Sequence, residues 1–168
     1  PDIDEFHKAV KVGLSYAQCG KLVTFGVRPT HAVTGYGYIE VSNPSIDSFG
    51  VTDVVNFIEK PNISDAKEMV ASDKYLWNAG IFLFRARDMI KAFKEHAPEI
   101  LNLVSKSVKD ASPDLGFLRL GAEPWSLLES KSIDFAIMEK AKNLVAVPYN
   151  YKWSDLGGWD AIWSESGP

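Results

Sequence analysis

LVTFGV, residues 22–27, is a continuous apolar run rich in β-branched side chains, closed off by Gly20 before it and Pro29 after it. Such a run fits a strand buried on both faces, as found in sheets covered by helices. Upstream, Phe6, Val10, Leu14 and Ala17 recur at helical spacing between Asp4 and Gln18, with acids at the front and Gly20 where a left-handed cap falls. Downstream, the loop RPTHAVTG leads to two strand patterns, Tyr36 to Val41 and Asp53 to Lys60, joined by NPSIDSFG as a hairpin-like pair.

The alternation continues. Ser64 is placed to cap a short helix to about Val70, and Tyr75 to Arg85, with its core WNAGIFLF, reads as a buried strand. Helices are expected at Ala86 to Ala97 and, after Pro98 at a first-turn position, from Glu99 to Val108. Asp110 to Glu123 is polar and interrupted. Ser132 to Lys140 reads as a helix with Ser132 as cap and Asp134 at its positive end. NLVAVPYN is a strand in which Pro148 implies an edge or an end, and WSDLGGW is a turn before a short final helix. Strands alternating with helices make an α/β layered domain, with no repeat or linker to suggest a second.

Composition narrows the function. The chain has 168 residues, 46% hydrophobic, enough for a real core. Its 22 acidic and 18 basic residues leave a net charge of −4, which argues against a nucleic-acid partner. One cysteine, Cys19, excludes an internal disulfide framework and a thiolate metal cage, so a reducing, cytoplasmic setting is expected. No apolar run is long enough to span a bilayer, so no membrane partner is expected.

Most motif scans fail. Gly35-Tyr36-Gly37 opens like a dinucleotide fingerprint, but Glu40 stands at the third glycine and a strand follows. His7, His31 and His96 have no metal-gathering spacing. Gly13 to Ala17 lies in a helix and lacks the second glycine of a nucleophile elbow, and Asn62-Ile63-Ser64 spells a glycosylation acceptor without a secretory signal.

Three stretches keep two readings each. FIEKP puts Glu59 and Lys60 at a strand end stopped by Pro61: a carboxylate for sugar hydroxyls beside a point charge for phosphate, or an exposed ion pair at a turn. WNAGIF embeds Asn78 and Gly80 in apolar sequence: a buried amide with approachable backbone for a ligand, or a bulge with a satisfied core Asn. WSDLGGW sets Asp155 between Trp153 and two glycines: a hard oxygen donor suited to Mg²⁺ beside phosphate, or the cap of the last helix.

In order, TGYGYIE, FIEKP, WNAGIFLF, SIDFAIMEK and WSDLGGWDAIW resemble the sugar-nucleotide pyrophosphorylase superfamily, most closely the bacterial mannose-1-phosphate guanylyltransferases. The resemblance covers nearly the whole chain. It implies the C-terminal part of a Rossmann-like nucleotidyltransferase fold with a mixed sheet flanked by helices. It also implies the reaction: an oxygen of mannose 1-phosphate attacks the α-phosphorus of GTP, pyrophosphate leaves, Mg²⁺ neutralises charge, and GDP-mannose forms. Residue by residue it implies Gly37, Glu59, Asn78 and Gly80 as sugar contacts, Lys60 as the grip on the sugar phosphate and a catalytic residue, and Asp155 as a catalytic, magnesium-binding aspartate. Ser132 and Asp134 belong to the pattern mainly as a helix start. Ala32-Val33 replaces the Pro-Glu frequent in relatives, a departure expected to alter the loop rather than the chemistry.

Relatives also carry a GGxGxRLWPLSR-type nucleotide loop and a second metal-binding Asp in a PSDH-like segment, and neither occurs in these 168 residues. The chain is therefore expected to be a single incomplete domain, the acceptor-sugar half, starting just past that segment and inactive alone. Apolar edges at LVTFGV and WNAGIFLF are then expected to be exposed, favouring self-association into a homo-oligomer. Two other functions stay open: a relative using another sugar 1-phosphate or base, and a non-catalytic sugar-phosphate-binding module.

Overall fold

A computed structural model describes residues 3–44, 50–149 and 153–166. Its contacts divide the chain into two compact units, Pro1–Phe84 with Asn143–Pro168, and Arg85–Lys142.

In the first unit, α1 (Ile3–Gln18) carries Asp4 and Glu5 in its first turn, where the helix dipole favours negative charge. It ends at Gly20, which adopts the expected left-handed φ of 88°. Five strands follow: β1 (Leu22–Val27), β2 (Gly37–Val41), β3 (Thr52–Glu59), β4 (Tyr75–Leu83) and, from the far end of the sequence, β7 (Leu144–Pro148). Their order is β1-β4-β2-β3-β7, with β7 returning to β1, so the sheet closes on itself. Only β1 and β7 run parallel; the other pairs are antiparallel, which makes the sheet mixed as expected.

All six residues of β1 are buried. The reason is its central place, with β7 on one side, β4 on the other and α1 against it. Phe6 and Val10 of α1 pack on the cluster of Val23, Phe25, Val27, Val145, Val147 and Tyr149. A second cluster joins Tyr38, Trp77 and Ala66, the last from α2 (Ile63–Ala71).

Several expectations change. The edges of β1 and β4 expected to be exposed each have a paired strand on both sides, while part of the apolar face expected at WNAGIFLF is exposed, at Ile81. Burial of β4 is confined to Leu76 and Trp77, and from Asn78 onward the strand is half-buried or exposed. All of β7 is buried and Pro148 takes the strand-end reading, opposite Gly26. The cap of α2 is Asn62, not Ser64: its Oδ1 accepts from the Asp65 N–H and its Nδ2 donates to Asp65 Oδ2, at 3.0 and 2.9 Å. Part of the NPSIDSFG turn and of YNYKW lies outside the described residues.

The second unit contains α3 (Ala86–His96), α4 (Pro98–Lys109), the hairpin β5 (Ser112–Asp114) and β6 (Phe117–Arg119), α5 (Ala122–Ser126) and a π-helical turn, Asp134–Met138. The two expected helices stand. The hairpin was hidden in the polar stretch, and it turns on Leu115 and Gly116, both at positive φ as a two-residue turn requires. The expected helix from Ser132 to Lys140 is a wider single turn, loosely started by Ser132 Oγ accepting from the Phe135 N–H at 3.5 Å.

Candidate active site

Strand register places the site. The antiparallel pairs Gly37↔Glu59 and Tyr38↔Trp77 set Asn78 of β4 and Glu59 of β3 on either side of Gly37, at one end of the sheet. Residues directly opposite in an antiparallel pair share a face, so amide, bare backbone and carboxylate form one row. A Cβ on Gly37 would lie 2.6 Å from Glu59 Oε2, 3.3 Å from Asn78 Cβ and 3.5 Å from Phe57 Cε1. The missing side chain therefore lets the Glu59 carboxylate lean across β2 toward Asn78.

Asn78 is half-buried and its orientation is fixed. Oδ1 accepts from Thr24 Oγ1 at 3.0 Å and from the Gly80 N–H at 3.2 Å. With the oxygen engaged twice, Nδ2 is left to donate, and it has no partner among the described residues. The second bond needs a bulge: between the pairs Thr24↔Phe82 and Gly26↔Asn78 the register shifts, and Gly80 sits at φ +70° with open space where a Cβ would be. The bulge reading of WNAGIF holds, and the bulge fixes the direction of the amide.

The two charges of FIEKP separate in burial. Only 10% of the Glu59 side chain is exposed against 60% of Lys60, and Lys60 Nζ stands 3.3 Å from Glu59 Oε1. The ion pair of the alternative reading is present, but it is only half exposed: a largely buried carboxylate faces a solvated ammonium. Lys60 is held at φ 51° immediately before Pro61, a strained backbone costing about 1–3 kcal/mol. Its N–H donates to the Tyr36 carbonyl at 3.2 Å, continuing the β2–β3 ladder by one rung.

Asp155 is exposed, between Trp153 and Gly157. It does not cap α6 (Trp159–Ser166), whose first turn closes from the Ile162 N–H to the Gly158 carbonyl. Among the described residues no three His, Cys, Asp or Glu side chains gather as a metal cage. A lone exposed carboxylate suits magnesium, which keeps waters and completes its shell with phosphate oxygens.

An aromatic series missed in the sequence joins these parts. Tyr36 meets Trp77 edge-on at 5.3 Å and 80°, and Trp153 at 5.4 Å and 74°, while His31 meets Trp77 at 5.2 Å. Burial, then the negative charge of Asp155, raises the Tyr36 phenol pKa above its ordinary value. Thr24 was missed too; a hydroxyl inside an otherwise apolar strand was the available signal. The Val33 N–H and carbonyl are both bonded to the Tyr38 hydroxyl at 3.0 Å, and the side chains of Ala32 and Val33 pack against the cluster of Tyr38 and Trp77.

In the second unit, a cleft of about 270 Å³ at the start of α4 is lined by His96, Pro98, Glu99, Glu129, Lys131 and Lys140 among others. Its lining has two lysines and two glutamates, which balance in charge.

A mixed, closed sheet flanked by helices, with an amide, a carboxylate and an ammonium side by side at one end, defines the class as an α/β protein. Residues 3–167 match the nucleotidyl transferase family, and the chain belongs to it. It is 42% identical to a mannose-1-phosphate guanylyltransferase of Escherichia coli over 98% of this chain and 35% of that protein. It is 43% identical to mannose-1-phosphate guanylyltransferase RfbM of Salmonella typhimurium over 96% and 33%. The chain spans about a third of the length of these relatives. Two solved structures share the fold. One, described as a mannose-6-phosphate isomerase from Helicobacter pylori, has a TM-score of 0.83 at 35% identity, over 92% of this chain and 60% of that one. The other, described as a mannose-1-phosphate geranyltransferase from Thermus thermophilus, has a TM-score of 0.82 at 28% identity, over 100% and 47%.

Proposed function

We propose that this chain forms the sugar-phosphate side of a mannose-1-phosphate guanylyltransferase, which joins mannose 1-phosphate to GTP and releases pyrophosphate and GDP-mannose. The carrying observation is the row Asn78, Gly37, Glu59 with Lys60 at its end, supported by relatives that bear that activity in their names. The Asn78 amide donates to a sugar hydroxyl, and Glu59, aimed across Gly37, accepts from others. Lys60 Nζ draws the sugar phosphate and holds one of its oxygens in line for attack on the α-phosphorus. That oxygen forms the new P–O bond as the bond to pyrophosphate breaks, and no water is consumed. Positioning and charge neutralisation are most of what this chemistry asks of a protein. Asp155 would hold a magnesium ion that neutralises charge on the nucleotide's phosphates.

These residues include neither the Gly-rich nucleotide loop nor the second metal-binding aspartate of the resemblance, so the chain alone is expected to bind sugar phosphate without turning it over. Titrating wild type and Lys60→Ala with mannose 1-phosphate and with mannose tests the role of Lys60. A charge-assisted bond is worth about 1.5–3 kcal/mol, so the variant loses about 10- to 100-fold for the phosphate and little for the free sugar. Equal losses for both ligands would refute it.

A further inference from the structure

We infer that Tyr36 is a positioning residue, holding the Asp155 turn and the Lys60 turn in one arrangement without touching substrate. The inference rests on the reading of the site above and extends it to a residue outside the contact set. Tyr36 is attached to both turns. Its carbonyl accepts the Lys60 N–H at 3.2 Å. Its ring meets Trp153 at 5.4 Å and Trp77 at 5.3 Å, both nearly perpendicular, an arrangement that aromatic pairs prefer.

Among the described residues the Asp155 turn is anchored mainly through Trp153. Trp153 packs against both apolar clusters of the first unit, whereas Asp155, Leu156, Gly157 and Gly158 are exposed. Leu156 is left-handed at φ 49°, and its N–H donates to Ser154 Oγ at a long 3.4 Å. Lys60 is strained as well. Tyr36 thus meets one strained turn through its backbone carbonyl and the other through its half-buried ring. Fixing both in advance lowers the ordering cost when sugar phosphate and magnesium bind.

The experiment compares wild type, Tyr36→Phe and Tyr36→Leu by backbone ¹⁵N order parameters and by calorimetric titration with mannose 1-phosphate, with and without MgCl₂. In Tyr36→Leu, order parameters at residues 153–158 are expected to fall below about 0.6 while β1 and β7 stay near about 0.85. The gain in affinity due to magnesium is expected to drop about three- to tenfold, as the competent fraction falls. Tyr36→Phe keeps the ring and is expected to match wild type in both. Should Tyr36→Leu not fold, Trp153→Leu removes the same contact from the other side. Unchanged order in the turn, or equal loosening of β1 and β7, overturns the positioning role. A wild-type chain whose affinity magnesium never alters, with the turn ordered as expected, refutes the underlying reading of the site and the inference with it.

Discussion

Gly37→Ala probes the row at its centre. The backbone tolerates alanine there, since Gly37 is outside the left-handed region. The obstacle is steric: the new methyl would lie 2.6 Å from Glu59 Oε2, a separation that cannot stand, and 3.3 Å from Asn78 Cβ. The carboxylate ends a side chain with rotamers to spare and can swing away, but Asn78 Cβ is fixed to its strand. Small overpacking of this kind costs about 1–3 kcal/mol, or about 2–12 °C in Tm for a domain of this size. Ligand affinity is expected to fall further than the fold, because a displaced Glu59 loses a charge-assisted bond worth about 1.5–3 kcal/mol, about 10- to 100-fold in Kd. Thermal melts and calorimetry with mannose 1-phosphate read the two effects separately. A variant that is destabilised yet binds as wild type would refute the placing of Glu59 across Gly37 as the ligand-binding arrangement.

Thr24→Val removes one of the two donors that orient Asn78; about 0.5–1.5 kcal/mol of stability and several-fold affinity for mannose 1-phosphate are expected to be lost, with Thr24→Ser restoring both in the same assays. Asn62→Ala deletes the cap of α2, and denaturant unfolding is expected to register about 1 kcal/mol with ligand affinity unchanged. Asp88 is held below the ordinary carboxylate range, chiefly by its hydrogen bond to Arg85. A depressed carboxylate stabilises above its unfolded pKa and stops doing so as pH falls through the folded one, so the stability gap between wild type and Asp88→Asn is expected to close on acidification, measured by melts at stepwise lower pH.

How much was readable depended on the range of the interaction. β1 was legible because burial on both faces leaves an unbroken apolar run, and α1 because its period and its Gly20 stop are local. Glu59, Lys60, Asn78, Gly80 and Asp155 could each be singled out from odd chemistry in their surroundings, yet each kept a bland alternative. Register added what no single motif held: only the pairing of β4, β2 and β3 shows that Asn78 and Glu59 flank Gly37. The closed order of the sheet was not legible, since the return of β7 to both β1 and β3 links segments far apart in sequence. The Leu115-Gly116 hairpin was missed because leucine is a poor residue for positive φ. The Asn62 cap is hard to read locally, since Ser64, two residues on, is equally suited to cap a helix by residue type.

Titrating the chain with mannose 1-phosphate and, separately, with GTP tests the central claim most directly. The account predicts saturable binding of mannose 1-phosphate, lost in a Glu59→Gln, Lys60→Ala double variant, and weak GTP binding that the same substitutions leave alone. Tight binding of GTP by these 168 residues, or mannose 1-phosphate binding indifferent to Glu59 and Lys60, would contradict it.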